Sequence, residues 1–359
     1  MAAIHQFLAG FTKHDAISNE ALIIQSIFRS WGFESDIFSE TRSILPELRK
    51  TVHDTSEYLP ICKDDDVVLL HLSMGTRTNE IFADLPCRKA ILYHNVTPPH
   101  YFTMINRKTA NNLQLGLQQV KSLAGVAQVN MADSQYNAQE LAQCGYTDIG
   151  VLPLILDLNA LANPASSHAP SKYQDGLTNI IFVGRCVPNK RIDHLVMAFY
   201  HFHKYVNPNS RLIHVGSFAG SDRYHGIVLS QVKELGIHNV QFEGTIPQPQ
   251  LNAIYGAADL FLCMSEHEGF CIPILEAMAH DIPVMAYAQA AVPETMDGAG
   301  ILFDHKNYQA ISEMMGVMTT NQQLRASIIA RQQERLTRYK QRDLSQELRT
   351  MLAPLIPQV

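Results

Sequence analysis

The chain has 359 residues, 46% apolar and 17% charged, with a formal net charge of −6. That length exceeds what one hydrophobic core usually serves, so two domains of ordinary globular composition are expected. The acidic balance argues against nucleic acid as the main partner, because neutralising phosphates needs clustered Lys and Arg.

No apolar run reaches the roughly 18 residues of a membrane-spanning helix. The first fifteen residues lack a basic region, an apolar stretch and a cleavage site, so they read as a first strand and not as a signal peptide. Cysteines stand at 62, 87, 144, 186, 263 and 271 with no Cys-x-x-Cys pair. Scattered thiols in a chain of this size suggest a reducing, cytoplasmic setting.

Strands alternate with helices along the chain, the pattern of an α/β protein with parallel sheets. Ala3 to Phe7 is the first strand. A loop to Asp15 follows, then a helix from Ala16 to Trp31 with Leu22, Ile23, Ile27 and Phe28 facing inward. Ligands of such sheets gather at the carboxyl ends of strands, so Asp15 is either a wall of the site or a helix cap. The acidic triplet Asp64-Asp65-Asp66 precedes the strand Val67 to Leu72 and lies at its amino end, the wrong end for a ligand. It reads as a solvated turn.

Lys89 to Tyr93 is a strand that delivers His94-Asn95-Val96-Thr97-Pro98-Pro99 at its carboxyl end. His94 there can contact a ligand or bond to its own loop, and His71, ending the preceding strand, has the same two readings. Ile105 to Ala124 is helical. Arg107, Lys108 and Lys121 allow a peripheral contact with an anionic membrane, although packing on the sheet explains the helix equally. Asn159 to Gly176, rich in Pro and Ser, reads as an interdomain linker.

After it the pattern restarts. The strands Asn179 to Val183 and Arg211 to Val215 end in Gly184 and Gly216, and Arg185-Cys186-Val187-Pro188-Asn189-Lys190-Arg191 follows the first. Arg185 and Lys190 offer a fork and a point charge suited to a diphosphate. Arg191 reads as a surface charge. The apolar strand Asp259 to Met264 leads into Ser265-Glu266-His267-Glu268-Gly269-Phe270-Cys271-Ile272-Pro273-Ile274-Leu275-Glu276-Ala277-Met278-Ala279. Pro273 suits the first helical position, so the amides of Gly269, Phe270, Cys271 and Ile272 lie at a helix start, where anions bind. Glu268 and Glu276 flank them. They suit the hydroxyls of a ribose or hexose, or else are a solvated loop charge and an ordinary first-turn acid. No His, Cys or carboxylate cluster has metal-ligand spacing, so no metal or other cofactor is expected.

Glu268 and Glu276, with seven residues between them in EHEGFCIPILEAMA, resemble the signature of the retaining nucleotide-sugar glycosyltransferases of family 4. The Arg185/Lys190 spacing and the His-Asn-x-Thr-Pro-Pro loop at His94 fit the same family in order. This resemblance implies the GT-B fold, two Rossmann-like domains with parallel sheets facing a central cleft. Its expected boundaries are an acceptor domain over 1–158, the linker 159–176, a donor domain over 177–335, and a final helix over 336–359 crossing back to the first domain.

The resemblance further implies transfer of a hexose, from GDP-mannose or a UDP-sugar, to a saccharide or lipid-linked acceptor in bacterial polysaccharide or lipopolysaccharide assembly. Arg185 and Lys190 would grip the diphosphate, Glu276 the ribose and Glu268 the hexose. His94 would donate to the sugar and, with Asn95 and Asp15, line the acceptor side. The turn at Thr245 and Ile246 would carry the base. A glycine-rich loop belongs before Asp15 in this family, but the chain has only Gly10 there. The alternatives are a non-catalytic sugar-nucleotide or glycan-binding protein and an epimerase of the same fold. Slow hydrolysis of a sugar nucleotide separates an enzyme from a binder.

Overall fold

The computed structural model describes residues 3–12, 15–157 and 171–356. The greater part of the expected linker, residues 159–170, lies outside the described residues. The chain divides into two compact units. The first comprises Met1–His100, Arg107–Leu156 and Asp343–Val359, and the second Tyr101–Asn106 and Asp157–Arg342.

The first unit holds a seven-stranded sheet in the order β3-β2-β1-β4-β5-β6-β7. Its strands are β1 Ile4–Leu8, β2 Ile37–Ser39, β3 His53–Asp54, β4 Val67–Leu72, β5 Arg88–Tyr93, β6 Val129–Ala132 and β7 Ile149–Val151. The pairings are parallel, with Gln6 beside Leu69 and Leu8 beside His71 in the central β1–β4 pair. Both faces of a parallel sheet are covered by helices, and β1 and β4 are accordingly buried at every residue.

The helix Ala16–Ser30 buries Ser18, Glu20, Ala21, Ile24, Gln25 and Phe28. Leu22, expected inward, is 45% exposed. Phe28 is buried as expected and Ile23 and Ile27 are half-buried, but Glu20 and Gln25 share the inward stripe and are held there by hydrogen bonds. A second correction concerns Asp66, which is 3% exposed and not solvated. Its carboxylate accepts from the amides of Ala3 and Lys63 and from the Tyr58 hydroxyl at 3.0–3.1 Å. The three donors tie the amino end of β4 to β1, so this acid is structural.

The second unit repeats the plan with a six-stranded sheet in the order β10-β9-β8-β11-β12-β13. These strands are β8 Thr178–Val183, β9 Ser210–Val215, β10 Val240–Phe242, β11 Leu260–Cys263, β12 Val284–Tyr287 and β13 Ile301–Phe303. In both sheets the strand order reverses beside the first strand, and the crevice at such a switch point is where these folds take ligands. Gly216 shows how tightly the second one is built. A β-carbon there would sit 1.9 Å from the Gly184 carbonyl oxygen, so the ends of β8 and β9 approach as only glycine allows.

Candidate active site

In the second unit the turn after β11 is organised around Glu268 and Lys190. Lys190 comes from the short 3₁₀ turn Pro188–Lys190 after β8, and its ammonium donates to Glu268 Oε2. β8 and β11 are neighbours in the sheet, which is why these loops meet. Burial disfavours the Lys190 charge, but the adjacent Glu268 carboxylate outweighs it and raises the Lys190 pKa. Backbone contacts knit the loops further: the Glu266 amide donates to the Asn189 carbonyl at 2.8 Å, and Asn189 Nδ2 to the His267 carbonyl at 3.1 Å.

Cys271 caps the helix Ile272–Ala279 in the left-handed region, at φ +76° and ψ +62°, and Pro273 stands in the first turn. Among the described residues none of the Gly269, Phe270, Cys271 and Ile272 amides donates a hydrogen bond. Free amides at a helix start form an anion site. Arg185, just past β8, is exposed, and its side chain makes no hydrogen bond or salt bridge among the described residues. Thr245 and Ile246 follow β10, and Thr245 is exposed.

Glu276 is buried on that helix and accepts from the Tyr255 hydroxyl at 2.8 Å. Burial raises its pKa, and the Tyr255 bond only partly offsets this. Tyr255, which the sequence reading did not single out, sits in an unremarkable helical stretch, Gln248–Tyr255. Arg191, expected to be a surface charge, pairs with Asp193 and Glu266, and Lys306 joins the same Glu266.

The first unit carries a buried polar chain at the carboxyl ends of β1, β4, β5 and β6. Gln6 Nε2 donates to the Ala21 carbonyl, which leaves Gln6 Oε1 facing His71 Nε2 at 2.9 Å. An amide oxygen only accepts, so His71 Nε2 carries the proton. Burial holds the His71 pKa well below its ordinary value. The neutral ring therefore accepts at Nδ1 from His94 Nε2, 2.9 Å away. His94 Nδ1 lies 3.3 Å from Asp133 Oδ2, and its Nε2 lies 3.7 Å from Glu20 Oε2. Burial works against a charge on His94, but the Asp133 hydrogen bond and the Glu20 charge prevail and raise its pKa. Burial pushes Glu20 up to about 7. Both ring nitrogens of His94 thus face protein groups, and ring donation to a sugar is not the arrangement found.

Asn95 takes a left-handed backbone, φ +79°, and its side-chain amide donates to Asn137 and Glu140. Asp15 caps the helix Ala16–Ser30 by accepting from the Ser18 amide at 2.9 Å and hydroxyl at 2.8 Å. Among the described residues, two groups that sequence spacing did not reveal have their ligand atoms within 4.8 Å of one another: Glu20, His71 and His94, and Cys263, Glu268 and Cys271.

Residues 166–335, which include the Lys190–Glu268 pair and the free amides, match the family described as glycosyl transferases group 1. The stretch similar to this family thus falls in the second unit. Among curated proteins the chain is 30% identical over 134 residues to the O-antigen chain mannosyltransferase B of Escherichia coli. That match covers 37% of this chain and 34% of the relative. It is 29% identical over 207 residues to the D-inositol 3-phosphate glycosyltransferase of Segniliparus rotundus, covering 55% and 45%. The matched segments thus span between a third and a half of these relatives.

The crystal structure of Anabaena HepE in complex with UDP-glucose superposes with a TM-score of 0.76 at 17% identity, covering 98% of this chain and 99% of that one. At that identity the likeness is one of fold. The fold is the GT-B class, with two Rossmann-like units in one chain, and the match to the group 1 family lies in the second. No described helix is long and apolar enough to cross a membrane.

Proposed function

We propose that the chain is a retaining glycosyltransferase that moves a hexose from a nucleotide-diphosphate sugar to a saccharide or lipid-linked acceptor, in assembly of a bacterial polysaccharide or lipopolysaccharide. The observation that carries this reading is the Lys190–Glu268 pair beside the free Gly269–Ile272 amides at a sheet switch point, inside the stretch similar to the group 1 family.

In this mechanism the bond from the anomeric carbon to the diphosphate breaks. Arg185, Lys190 and the amides stabilise the charge that develops on the departing phosphate. A phosphate oxygen takes the acceptor proton as the acceptor oxygen bonds to the same face of the sugar, which retains configuration. Glu268 holds hexose hydroxyls. Glu276, kept in place by Tyr255, receives the ribose, and Thr245 and Ile246 border the base. His94, Asn95 and Asp15 shape the acceptor side, with His94 acting through its loop backbone because its ring is engaged. The phosphate has cationic and amide partners, so turnover needs no Mg²⁺ or Mn²⁺ and continues in a chelator.

Similarity to a GDP-mannose-dependent alpha-mannosyltransferase of Mycolicibacterium smegmatis makes GDP-mannose the first donor to test, and the UDP-glucose complex makes UDP-glucose the second. Release of nucleoside diphosphate is measured with each, and proton NMR of the product reads the anomeric configuration. Release from one donor with an unchanged anomer is expected. Tight nucleotide binding with no release from any donor would make the chain a sugar-nucleotide binder.

A further inference from the structure

We propose that Cys263, Cys271 and Glu268 form a binding site for a soft divalent cation, with Zn²⁺ as the type. Cys263 ends β11, and Cys271 caps the helix that follows, so the turn between them brings both sulfurs to one point. Each of the three residues offers a ligand atom within 4.8 Å of the other two, and all three are buried. Tetrahedral zinc binds sulfur at about 2.3 Å and carboxylate oxygen at about 2.0–2.2 Å, so its ligands stand roughly 3.5 Å apart. The cluster lies within reach of that spacing.

A second observation points to a ligand. Glu268 is 5% exposed, and while Oε2 is bonded to Lys190, Oε1 has no hydrogen-bond partner. Buried polar atoms are seldom left so. Charge balance favours the same conclusion. Lys190 already neutralises Glu268, and the two thiols are neutral when protonated. Binding Zn²⁺ with release of both thiol protons adds two positive and two negative charges, so the buried net charge does not change. Thiolate selects Zn²⁺ over Mg²⁺, which prefers oxygen. Three protein ligands leave a fourth position open.

The other group, Glu20, His71 and His94, differs. Its two rings are within 4° of parallel with facing nitrogens 2.9 Å apart, the geometry of a proton held between them.

The cation site stands on its own geometry, and only its effect on turnover, blockage of the donor turn through Glu268, rests on glycosyl transfer. The test titrates the full chain with Co²⁺ under nitrogen, without thiol reductants, and follows the sulfur-to-cobalt charge-transfer absorption. One equivalent should saturate the band. Cys263→Ser should abolish it, with folding checked by Tm, and Cys144→Ser should keep it. No band in the natural chain, or an undiminished band in folded Cys263→Ser, overturns the site. Zn²⁺ added to the natural chain should release about two protons per ion. Release of none overturns the site without relying on any variant. Hydrolysis of sugar nucleotides is measured separately, so loss of the glycosyl-transfer reading leaves the cobalt result standing, and the reverse.

Discussion

Lys190 and Arg185 belong to one loop but stand in opposite electrostatic positions. Lys190 is bonded to a buried carboxylate, whereas the Arg185 side chain is exposed and has no partner among the described residues. Lys190→Ala leaves Glu268 buried without its counter-charge, which costs about 3 kcal/mol or more of stability. Arg185→Ala should leave Tm within about a degree or two. Each should lower kcat/KM by about 3 kcal/mol, roughly a hundredfold or more, if it stabilises the departing phosphate. Denaturation and kinetics on the pair of variants separate the roles. A rise in KM alone, with kcat intact, would reduce both to uniform binding.

Glu20 makes a pH prediction at the same scale. Its folded pKa, about 7, lies above its value in the unfolded chain. The folded state therefore holds the proton longer. The stability from this group is complete below the unfolded pKa and is lost as pH rises through the folded one. His94, also raised, acts in the same direction, while His71, held neutral, acts in the opposite direction as pH falls. The Glu20→Gln variant isolates the first effect. Its Tm relative to the natural chain should rise between about pH 5 and about pH 8. A difference that stays flat across this range would mean that Glu20 is ionised throughout.

Among the elements, the strand ends β8 and β9 make the sharpest demand on the chain. Gly216→Ala drives a β-carbon into the Gly184 carbonyl, a backbone atom that cannot rotate away. The expected cost is about 3 kcal/mol, the upper part of the range for overpacking. Gly226 is the counter-case. It is exposed within the helix Asp222–Glu234, and a β-carbon there meets nothing within 4 Å. Gly226→Ala should stabilise by about 0.5–1 kcal/mol through helix propensity. Urea denaturation of both variants checks the pair. Equal effects would contradict the close approach of the two strands.

For the molecule as a whole, the proposed donor-binding groups all fall in the second unit and the proposed acceptor-side groups in the first. The second half expressed alone, from about residue 171 to Arg342, is therefore expected to bind the cognate nucleoside diphosphate without turnover. It should do so more weakly than the full chain. The second unit also includes Tyr101–Asn106, which this fragment lacks. Within the unit, Tyr101 meets Glu266 at 3.4 Å and Asn106 Nδ2 donates to the Gly220 carbonyl at 2.8 Å. Calorimetry on the fragment, with circular dichroism to establish folding, decides the matter. A folded second half with no nucleotide affinity beside a first half that binds would reverse the assignment.

Local signals were enough for the alternation of strands and helices, the glycines ending β8 and β9, and the helix start to within one residue of Pro273. Each depends on residues within a few positions of one another, and periodicity and backbone preference act over that distance. Which polar groups turn inward was decided by tertiary structure. Nothing in the local pattern singled out Glu20, which is buried because β1, β4 and β5 are neighbours and set His94 beside it. The expected loop acid Asp66 became the tie between β4 and β1. Tyr255 found Glu276 across 21 residues, and Lys190 found Glu268 across 78. Cys263 and Cys271, eight positions apart, meet only because the chain turns back into a helix capped in the left-handed region. A buried polar group is stable only beside its partner, and the partner is supplied by the order of strands in the sheet, which local patterning does not contain.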